Sequence, residues 1–355
     1  MFRLFISFIF ILIISGCVEA PGSNEITNPD NKTEPLEINH ASNFKLARGT
    51  NDIVLEIINP ESGKTEKTVH ITPSEDLKII SLTSTLNGML SILDKTSQLV
   101  GVSNIEYVHD KKFKKRFDQG KILEYGDETS QSVEKIVSSG ANLIFHSGFG
   151  DKFPNEDQLE KLGIIVIPVY DWRENDPLGK AEWIKLIGAI TKKEKVANSF
   201  FNNVVKEYNS LKDVASTLLN RPSVLSGNVL GDVWYTPVGD SYVAQLISDA
   251  GGNYVYADSK GTGSLALSVE TILDDNRETE IWLNPGTDTK EKVLKLNTHA
   301  KHLPAFKNMY CYSPNLNKFW ERSAAEPHLV LSDLIHIFHP DYEKIKSFNF
   351  YQKIQ

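Results

Sequence analysis

The chain has 355 residues, of which 40% are hydrophobic and 24% are charged, and its formal net charge is -8. This length and composition predict a globular protein with room for two domains of ordinary size. The negative charge argues against nucleic-acid binding, which requires a basic face.

The first segment of the chain has the pattern of a secretory signal. An apolar run from Leu4 to Ile14 follows Arg3 and is shorter than the roughly 20 residues that a bilayer span requires. The run leads into Ser15-Gly16-Cys17, which resembles the bacterial lipobox, in which the cysteine is lipidated and begins the mature chain. We therefore predict a lipoprotein signal peptide at residues 1–16 and lipidation of Cys17. The alternative is an ordinary signal peptide with an incidental cysteine.

Two segments of different character follow. Residues 17–42 are rich in Pro, Asn, Glu, Ser and Thr and contain few large apolar groups, which predicts a flexible tether. Residues 44–72 alternate between apolar and polar positions around the turn Asn59-Pro60-Glu61-Ser62-Gly63, which predicts a β-hairpin. Far along the chain, Cys311 has no partner left for an intrachain disulfide and is predicted to be a buried core residue.

Residues 43–190 are predicted to form an N-terminal α/β lobe that includes the hairpin. Short apolar runs rich in β-branched residues alternate here with helical segments, as is typical of parallel strands that are buried on both faces. The predicted strands are residues 78–82, 99–102, 143–145 and 164–169.

A long helix is predicted between two lobes. Apolar residues from Val196 onward keep spacings of three and four until Pro222, which predicts a helix of about 28 residues. We interpret residues 191–221 as a rigid connector that permits little change in lobe angle, and residues 222–355 as a C-terminal α/β lobe. The predicted fold class is α/β, with a central, mainly parallel sheet flanked by helices in each lobe. The apolar positions of the helix are Val196, Phe200, Val204, Tyr208, Leu211, Val214 and Leu218.

A short sequence repeat supports two similarly built lobes. The segment Ser132-Val133-Glu134 recurs as Ser268-Val269-Glu270, and each copy leads into a strand-like segment about ten residues later. In both copies the serine is predicted to be a helix N-cap and the glutamate to lie in the first turn. A pair of equivalent glutamates suits a protein that docks both lobes onto a two-fold symmetric partner. The alternative is helix electrostatics alone, which stabilise a helix by about 0.3–1 kcal/mol per first-turn carboxylate.

From about Leu77 to its end, the chain resembles the substrate-binding lipoproteins of ABC importers for ferric siderophores, cobalamin and haem. The resemblance lies in the first strand pair, in the connector helix, and in two loop motifs of the second lobe. Those motifs are similar to the family's Pro-Gly-Gly-x-Ser segment and Ala-Gly-Gly turn, although Val238 replaces the first glycine. The residues concerned are 78–82, 99–102, Pro237-Val238-Gly239-Asp240-Ser241 and Asp249-Ala250-Gly251-Gly252.

The resemblance implies a function. Two α/β lobes joined by one long helix would hold a small-molecule chelate in the cleft between them. Glu134 and Glu270 would form salt bridges with arginines on the two permease subunits of the importer, which works with its ATPase subunits. The resemblance further implies a monomer that is lipid-anchored to the cell membrane, exposed to the periplasm or the cell exterior, and without a cofactor.

Candidate ligand-binding residues follow from a rule of open α/β sheets, whose ligands bind beyond the carboxyl ends of the strands. Aromatic walls suit large flat chelates, and arginines suit anionic ones. The alternative for the tryptophans is packing in the lobe cores, and His146 is either a haem-iron ligand or a hydrogen-bonding residue. The candidates are His146, Phe149, Tyr170, Trp172 and Arg173 in the first lobe and Trp234, Tyr235, Trp320, Glu321 and Arg322 in the second.

The sequence disfavours two other classes of protein. A zinc or manganese receptor of related fold would supply three histidines and a carboxylate, but only His146 falls at a predicted strand end and no histidine-rich loop is present. An enzyme is disfavoured because the sequence contains no Gly-x-Ser-x-Gly, His-Glu-x-x-His or P-loop motif. We therefore predict a binding protein with no catalytic residues and no protein-bound metal. The choice among a ferric siderophore, cobalamin and haem stays open.

Overall fold

The structure is a computed structural model, and it describes residues 33–150, 152–261, 263–313 and 318–355. The predicted signal peptide and the predicted lipidation site Cys17 lie outside these residues. Within the described ranges, no helix combines the length and the apolar character needed to cross a membrane.

The N-terminal part of the described chain is an antiparallel sheet in the order β1-β2-β3-β4. Alternation places Ile53, Leu55 and Ile57 of β3 in the core, so one face of this sheet is buried. The hairpin predicted for residues 44–72 is therefore part of a larger sheet. The strands are β1 (Glu34–Pro35), β2 (Phe44–Arg48), β3 (Ile53–Ile58) and β4 (Thr65–Ile71).

Residues 33–42 are held against the protein, so the prediction of a flexible tether is wrong for this part of the segment. The buried carboxylate of Glu182 accepts hydrogen bonds from the backbone N–H groups of residues 39–41 at 2.7–3.1 Å. The buried carboxylate of Glu174 accepts from those of residues 42–43 at 2.8 and 3.1 Å. Each buried carboxylate is thereby stabilised by several donors, and the segment is fixed in place.

The next part of the chain forms a parallel sheet, here called the N-terminal sheet, in the order β7-β6-β5-β8-β9. Its strands are β5 (Ile79–Ser81), β6 (Leu99–Val102), β7 (Leu123–Glu124), β8 (Leu143–His146) and β9 (Ile165–Pro168). The helices are α1 (Ser84–Ile92), α2 (Lys111–Asp118), α3 (Val133–Ser138), α4 (Glu156–Lys161), α5 (Pro177–Glu182) and α6 (Ile184–Ile190), with 3-10 turns at 96–98, 105–107 and 171–173.

The long helix α7 (Glu194–Thr217) has 24 residues, about 36 Å at 1.5 Å per residue. It is shorter than predicted because the backbone becomes extended at Leu218, four residues before Pro222. Val204 and Tyr208 are buried as predicted, but the buried positions at the start of the helix differ from the prediction. Ala197 and Phe201 are buried where Val196 and Phe200 were expected, and Val196 is exposed.

The remaining chain forms a second sheet, here called the C-terminal sheet, in the order β13-β10-β15-β16-β17, parallel except for the last pair. A small antiparallel sheet, β11-β12-β14, lies beside it. The strands are β10 (Ser223–Ser226), β11 (Asn228–Leu230), β12 (Val233–Pro237), β13 (Asn253–Tyr254), β14 (Ser264–Ser268), β15 (Ile281–Leu283), β16 (Met309–Tyr312) and β17 (Tyr351–Lys353). The helices are α8 (Tyr242–Asp249), α9 (Val269–Asp275), α10 (Lys290–Leu296), α11 (Phe319–Arg322) and α12 (Pro327–Phe338), with 3-10 turns at 298–302 and 304–307.

The helices of the two halves are in direct contact. Helix α11 packs against α1 so closely that a Cβ atom on Gly88 would lie 1.6 Å from the carbonyl oxygen of Glu321. The carboxylate of Glu321 also accepts a hydrogen bond from the backbone N–H of His109 at 2.9 Å. The predicted α/β class with mainly parallel sheets is confirmed, and contacts beyond the connecting helix hold the halves together.

Candidate functional site

A cavity of about 640 Å³ opens at the carboxyl ends of the neighbouring strands β10, β15 and β16. Residues 226–228 lie at the end of β10, Asn284 and Gly286 follow β15, and Tyr312 ends β16. This edge is where open α/β sheets bind their ligands. The cavity therefore lies where the sequence rule predicted a site.

Aromatic side chains form one wall of the cavity. Trp320 is 52% exposed and Tyr235 is 40% exposed, so each presents a large ring to the opening. Tyr312 stacks on Phe319 with ring centroids 3.5 Å apart and meets Trp320 edge to face at 5.5 Å. Since Phe319 and Tyr351 fix the ring of Tyr312 from behind, the wall is pre-organised for a flat ligand.

Asn284 places an amide group in the lining of the cavity. Its φ of 58° lies in the left-handed region, which asparagine tolerates better than most residues, and turns the chain sharply after β15. Its Nδ2 atom donates to the hydroxyl groups of Tyr312 and Tyr351 at 3.0 and 3.2 Å. Burial raises the pKa of Tyr312 well above its ordinary value, so this phenol stays neutral.

One ion pair lies at the rim. Lys292 and Asp288, four residues apart around the start of α10, are 2.7 Å apart and both line the cavity. The hydrogen bond from Lys292 is the largest cause of a lowered pKa of Asp288, so the carboxylate stays charged at neutral pH. The pair contributes no net charge to the cavity.

The sharp bend at Gly227 allows the cavity to form between the two sheets of this half. Its φ of 106° is in the region that favours glycine, and a Cβ atom here would lie 2.0 Å from the carbonyl oxygen of Tyr235. The chain therefore passes directly from β10 into β11, which pairs with β12 and positions Tyr235 over the opening.

In the N-terminal sheet, His146 is buried at the end of β8. Burial, with a smaller contribution from Lys67, lowers the pKa of His146 to about 4, so its imidazole is neutral at pH 7. The backbone N–H of Gly148 donates to Nδ1 at 3.3 Å, which places the ring proton on Nε2. Because neither nitrogen then offers a free lone pair, this arrangement does not suit a ligand of haem iron.

The other candidates of the N-terminal sheet are bound to neighbouring groups. The hydroxyl of Tyr170 donates to Glu66 of β4 at 3.0 Å, and the indole N–H of Trp172 donates to the carbonyl of Ser147 at 2.8 Å. Phe149 differs from them, because it is 79% exposed with its ring centroid 6.0 Å from that of Trp172.

Arg173 is also partnered. It lies over the ring of Trp172 and forms an ion pair with Glu61 at 3.4 Å. Glu61 belongs to the turn between β3 and β4, so the antiparallel sheet supplies the partner of this arginine.

Three candidates of the C-terminal half do not line the cavity. Trp234 is 1% exposed and packs on Trp282 with centroids 5.0 Å apart, so its prediction as a cleft residue is wrong. Glu321 is buried, which raises its pKa to about 7 against the opposing effect of the His109 backbone hydrogen bond. Arg322 is paired with Glu326, which lies four residues later in the turn between α11 and α12.

Of the ten predicted residues, Tyr235 and Trp320 line the cavity. The lining also includes Tyr312, Asn284, Asp288 and Lys292, which are not among the ten. The strand-end rule was sufficient to identify the first two of these, because Tyr312 ends β16 and Asn284 directly follows β15. Cys311 is buried in the second core cluster, as predicted, and also borders the cavity.

The repeated serine–glutamate motif has the predicted local structure. The Oγ atoms of Ser132 and Ser268 accept hydrogen bonds from backbone N–H groups three residues later, which makes them the N-caps of α3 and α9. Glu134 and Glu270 are exposed in the first turns. Hydrogen bonds from backbone N–H and from the capping serine lower the pKa of each glutamate, so both are ionised at neutral pH.

Among the residues that the structure describes, no three His, Cys, Asp or Glu side chains converge in a way that would hold a metal ion.

Comparison with known proteins gives matches over most of the chain. A family model described as "Periplasmic binding protein" matches residues 79–313. An uncharacterized lipoprotein of Methanocaldococcus jannaschii is 28% identical over 290 residues, which cover 78% of this chain and 68% of that protein.

Solved structures share the fold at low sequence identity. A periplasmic haem-binding protein from Pseudomonas aeruginosa is similar with a TM-score of 0.62 at 16% identity, covering 78% of this chain and 98% of that one. A periplasmic vitamin B12 binding protein of Vibrio cholerae gives 0.55 at 14% identity, covering 76% and 100%. Identities in this range establish a shared fold and leave the ligand open.

Proposed function

Because the chain belongs to the periplasmic binding protein family, whose members bind substrates and are not enzymes, we propose that it is the lipid-anchored receptor of an ABC importer. In this role it captures a metal chelate or corrinoid in the cavity of the C-terminal half. It then delivers the ligand to a permease dimer with its ATPase subunits. Ferric siderophores, cobalamin and haem are the ligand classes that the proposal includes.

The cavity beside Trp320 carries this proposal. Its volume of about 640 Å³ falls within the roughly 300–1,000 Å³ that small-molecule sites occupy. Exposed rings of Trp320 and Tyr235 offer the flat apolar contact that a chelate requires, and amide and hydroxyl groups provide directional hydrogen bonds. No observation in the described residues favours the alternative of a receptor for bare zinc or manganese ions.

Native mass spectrometry of the protein purified from its source tests the binding role. We expect a co-purifying small molecule that is released on denaturation and that quenches tryptophan emission when it is added back. A protein that carries no such molecule, and whose emission is unchanged by siderophore, corrinoid and haem probes, would contradict the proposal.

The permease contact is proposed to involve Glu134 and Glu270. Both carboxylates are ionised and exposed, and each sits in the first turn of a serine-capped helix in its own half of the molecule. A permease dimer that presents an arginine from each subunit would pair with both carboxylates at once.

A double variant separates docking from ligand binding. E134A/E270A should abolish uptake in cells that contain the importer while leaving ligand affinity unchanged, because neither residue lines the cavity. Glu291 provides a matched control, since it is an exposed first-turn glutamate two residues after the N-cap Thr289 of α10. E291A should transport normally. Equal loss of uptake in E291A, or loss of ligand affinity in the double variant, would contradict the docking role.

Lipid anchoring is proposed at Cys17. It is supported by the lipobox-like sequence and by the lipoprotein description of the relative from M. jannaschii. The intact mass of the purified protein should correspond to a chain that begins at Cys17 with an attached lipid. C17S should release the protein from membranes, whereas continued membrane association of that variant would contradict the anchor.

A further inference from the structure

The positive charge at the cavity is already neutralised. Among the described residues that line it, Lys292 alone is cationic, and Asp288 lies 2.7 Å away in the same lining. The positions between 263 and 355 that the structure does not describe are residues 314–317, and their sequence, Pro-Asn-Leu-Asn, contains no charged residue. Among the described residues, the lining therefore offers no unpaired lysine or arginine to balance an incoming anion.

The two arginines predicted to bind anions are also paired. Arg173 forms its ion pair with Glu61 in the turn of the antiparallel sheet, which precedes the residues matched by the family model. Arg322, at the end of α11, binds Glu326, the N-cap residue of α12, through both Nε and Nη2. Each guanidinium thus has a carboxylate partner within the protein, and neither arginine lines the cavity.

This charge pattern discriminates between ligands. An anionic chelate that enters the cavity loses hydration of its charge, and no unpaired cation replaces that hydration. The net charge of -8 for the chain adds a general repulsion of anions. A neutral chelate has no such cost, and its amide groups find partners in Asn284, Ser226 and the other neutral polar residues of the lining.

We propose that the cavity selects an electrically neutral metal complex whose periphery is rich in amide or hydroxamate groups, in preference to an anionic chelate. The inference rests on the proposed binding function and narrows its ligand class. Asp288 is the specificity-determining residue, because it removes the only positive charge that the described lining offers.

Titration of tryptophan emission with four probes tests the selection. A neutral ferric trihydroxamate and cyanocobalamin represent the two sources of neutral amide chemistry. Ferric enterobactin and haem represent anionic chelates of similar size. We expect the dissociation constant of at least one neutral probe to be at least about 100-fold lower than that of either anionic probe. The neutral probe that binds identifies the source.

The D288N variant tests the reason for the selection. It leaves Lys292 unpaired in the cavity and should raise affinity for the anionic probes about tenfold, with a gain that disappears at high salt. E291Q is the matched control, because it leaves Lys295 unpaired on the same helix but outside the cavity lining. This control should change neither class of affinity. Circular dichroism and a cooperative melt verify that both variants are folded.

The outcomes are separable. Equal or tighter binding of the anionic probes by the unmodified protein would overturn the selection while the binding function stands. An identical response of D288N and E291Q would overturn the role of Asp288 and the charge argument with it. If none of the four probes binds to the folded protein, the proposed function itself fails and the inference falls with it.

Discussion

The carboxyl edges of the two parallel sheets differ in what occupies them. At the N-terminal sheet, His146 accepts a backbone hydrogen bond, Tyr170 is bonded to Glu66, and Trp172 donates to a backbone carbonyl. At the C-terminal sheet, the residues that follow β10 and β15 leave an open cavity of about 640 Å³. At the edge of the N-terminal sheet, these three side chains are hydrogen-bonded to groups of the protein itself. The edge of the C-terminal sheet is open to a ligand.

This difference shows that strand ends identify positions for a site but not whether the site is open. Both edges carry aromatic and polar residues, and the same topological rule predicts a site at each. The two edges differ in whether another part of the chain provides hydrogen-bond or ion-pair partners for these residues. The antiparallel sheet provides Glu61 and Glu66 to the N-terminal edge, whereas the C-terminal edge has no such addition among the described residues.

The largest expected effect is on stability, from a tryptophan that is not part of the open edge. Trp234→Ala removes a side chain that is fully buried against Trp282 and should lower the free energy of unfolding by about 3–5 kcal/mol. Urea denaturation measures the change. Trp320→Ala is the control and should cost about half as much or less, because half of that ring is already exposed. Equal stability of the two variants would contradict the core assignment of Trp234.

The next largest effect is on ligand affinity, and it distinguishes the edge of the C-terminal sheet, which is open, from the edge of the N-terminal sheet, which is filled by the protein's own groups. Trp320→Ala removes the principal aromatic surface of the cavity and should weaken binding about 100-fold, in the range of a binding hot spot. Trp172→Ala should weaken binding less than about threefold, because its indole is engaged by Ser147 and Arg173. Calorimetric titration with the co-purified ligand measures both. The reverse order would move the site to the N-terminal edge.

A smaller, pH-dependent effect is expected at His146. Its pKa of about 4 is below its ordinary value of 6.5, so the unfolded chain binds a proton more readily than the folded protein. The neutral imidazole therefore contributes stability that is complete above pH 6.5 and is lost as the pH falls toward 4. His146→Asn, whose Oδ1 can still accept from Gly148, should show a shallower loss in this window. Thermal melts between pH 4 and 7 provide the measurement, and parallel profiles of the two proteins would contradict the buried neutral state.

The smallest expected effect distinguishes two tyrosines. Tyr170→Phe removes the hydrogen bond to Glu66 and should lower the free energy of unfolding by about 1 kcal/mol. Tyr235→Phe should leave stability unchanged within about 0.5 kcal/mol, because that residue is exposed at the cavity. Paired urea titrations resolve the difference. A stability loss confined to Tyr235→Phe would reverse the assignment of filled and open edges.

The sequence predicted the α/β class, the two parallel sheets and the serine caps because each depends on local periodicity or on neighbouring residues. It failed where a contact depends on residues far apart in the chain. Residues 39–41 carry no large apolar side chain, as is typical of a tether, yet the carboxylate of Glu182 more than 140 residues later accepts hydrogen bonds from their backbone N–H groups. Composition alone does not register such a contact.

Within the site, the errors come from adjacent residues that point in opposite directions. Trp234 and Tyr235 were predicted together, but alternation along β12 places the first in the core and the second at the cavity. In the same way, Trp320 and Glu321 are neighbours on α11, and only Trp320 is exposed. The two-residue period of a strand is enough to predict that Trp234 and Tyr235 point in opposite directions. The difference between Trp320 and Glu321 depends on how α11 packs against α1.

A crystal structure of the protein with its co-purified ligand tests the central claim most directly. We expect ligand density within the C-terminal cavity, in contact with Trp320, Tyr235 and Tyr312, and with Lys292 still paired to Asp288. Ligand density beside His146 and Trp172, with the C-terminal cavity empty, would contradict it.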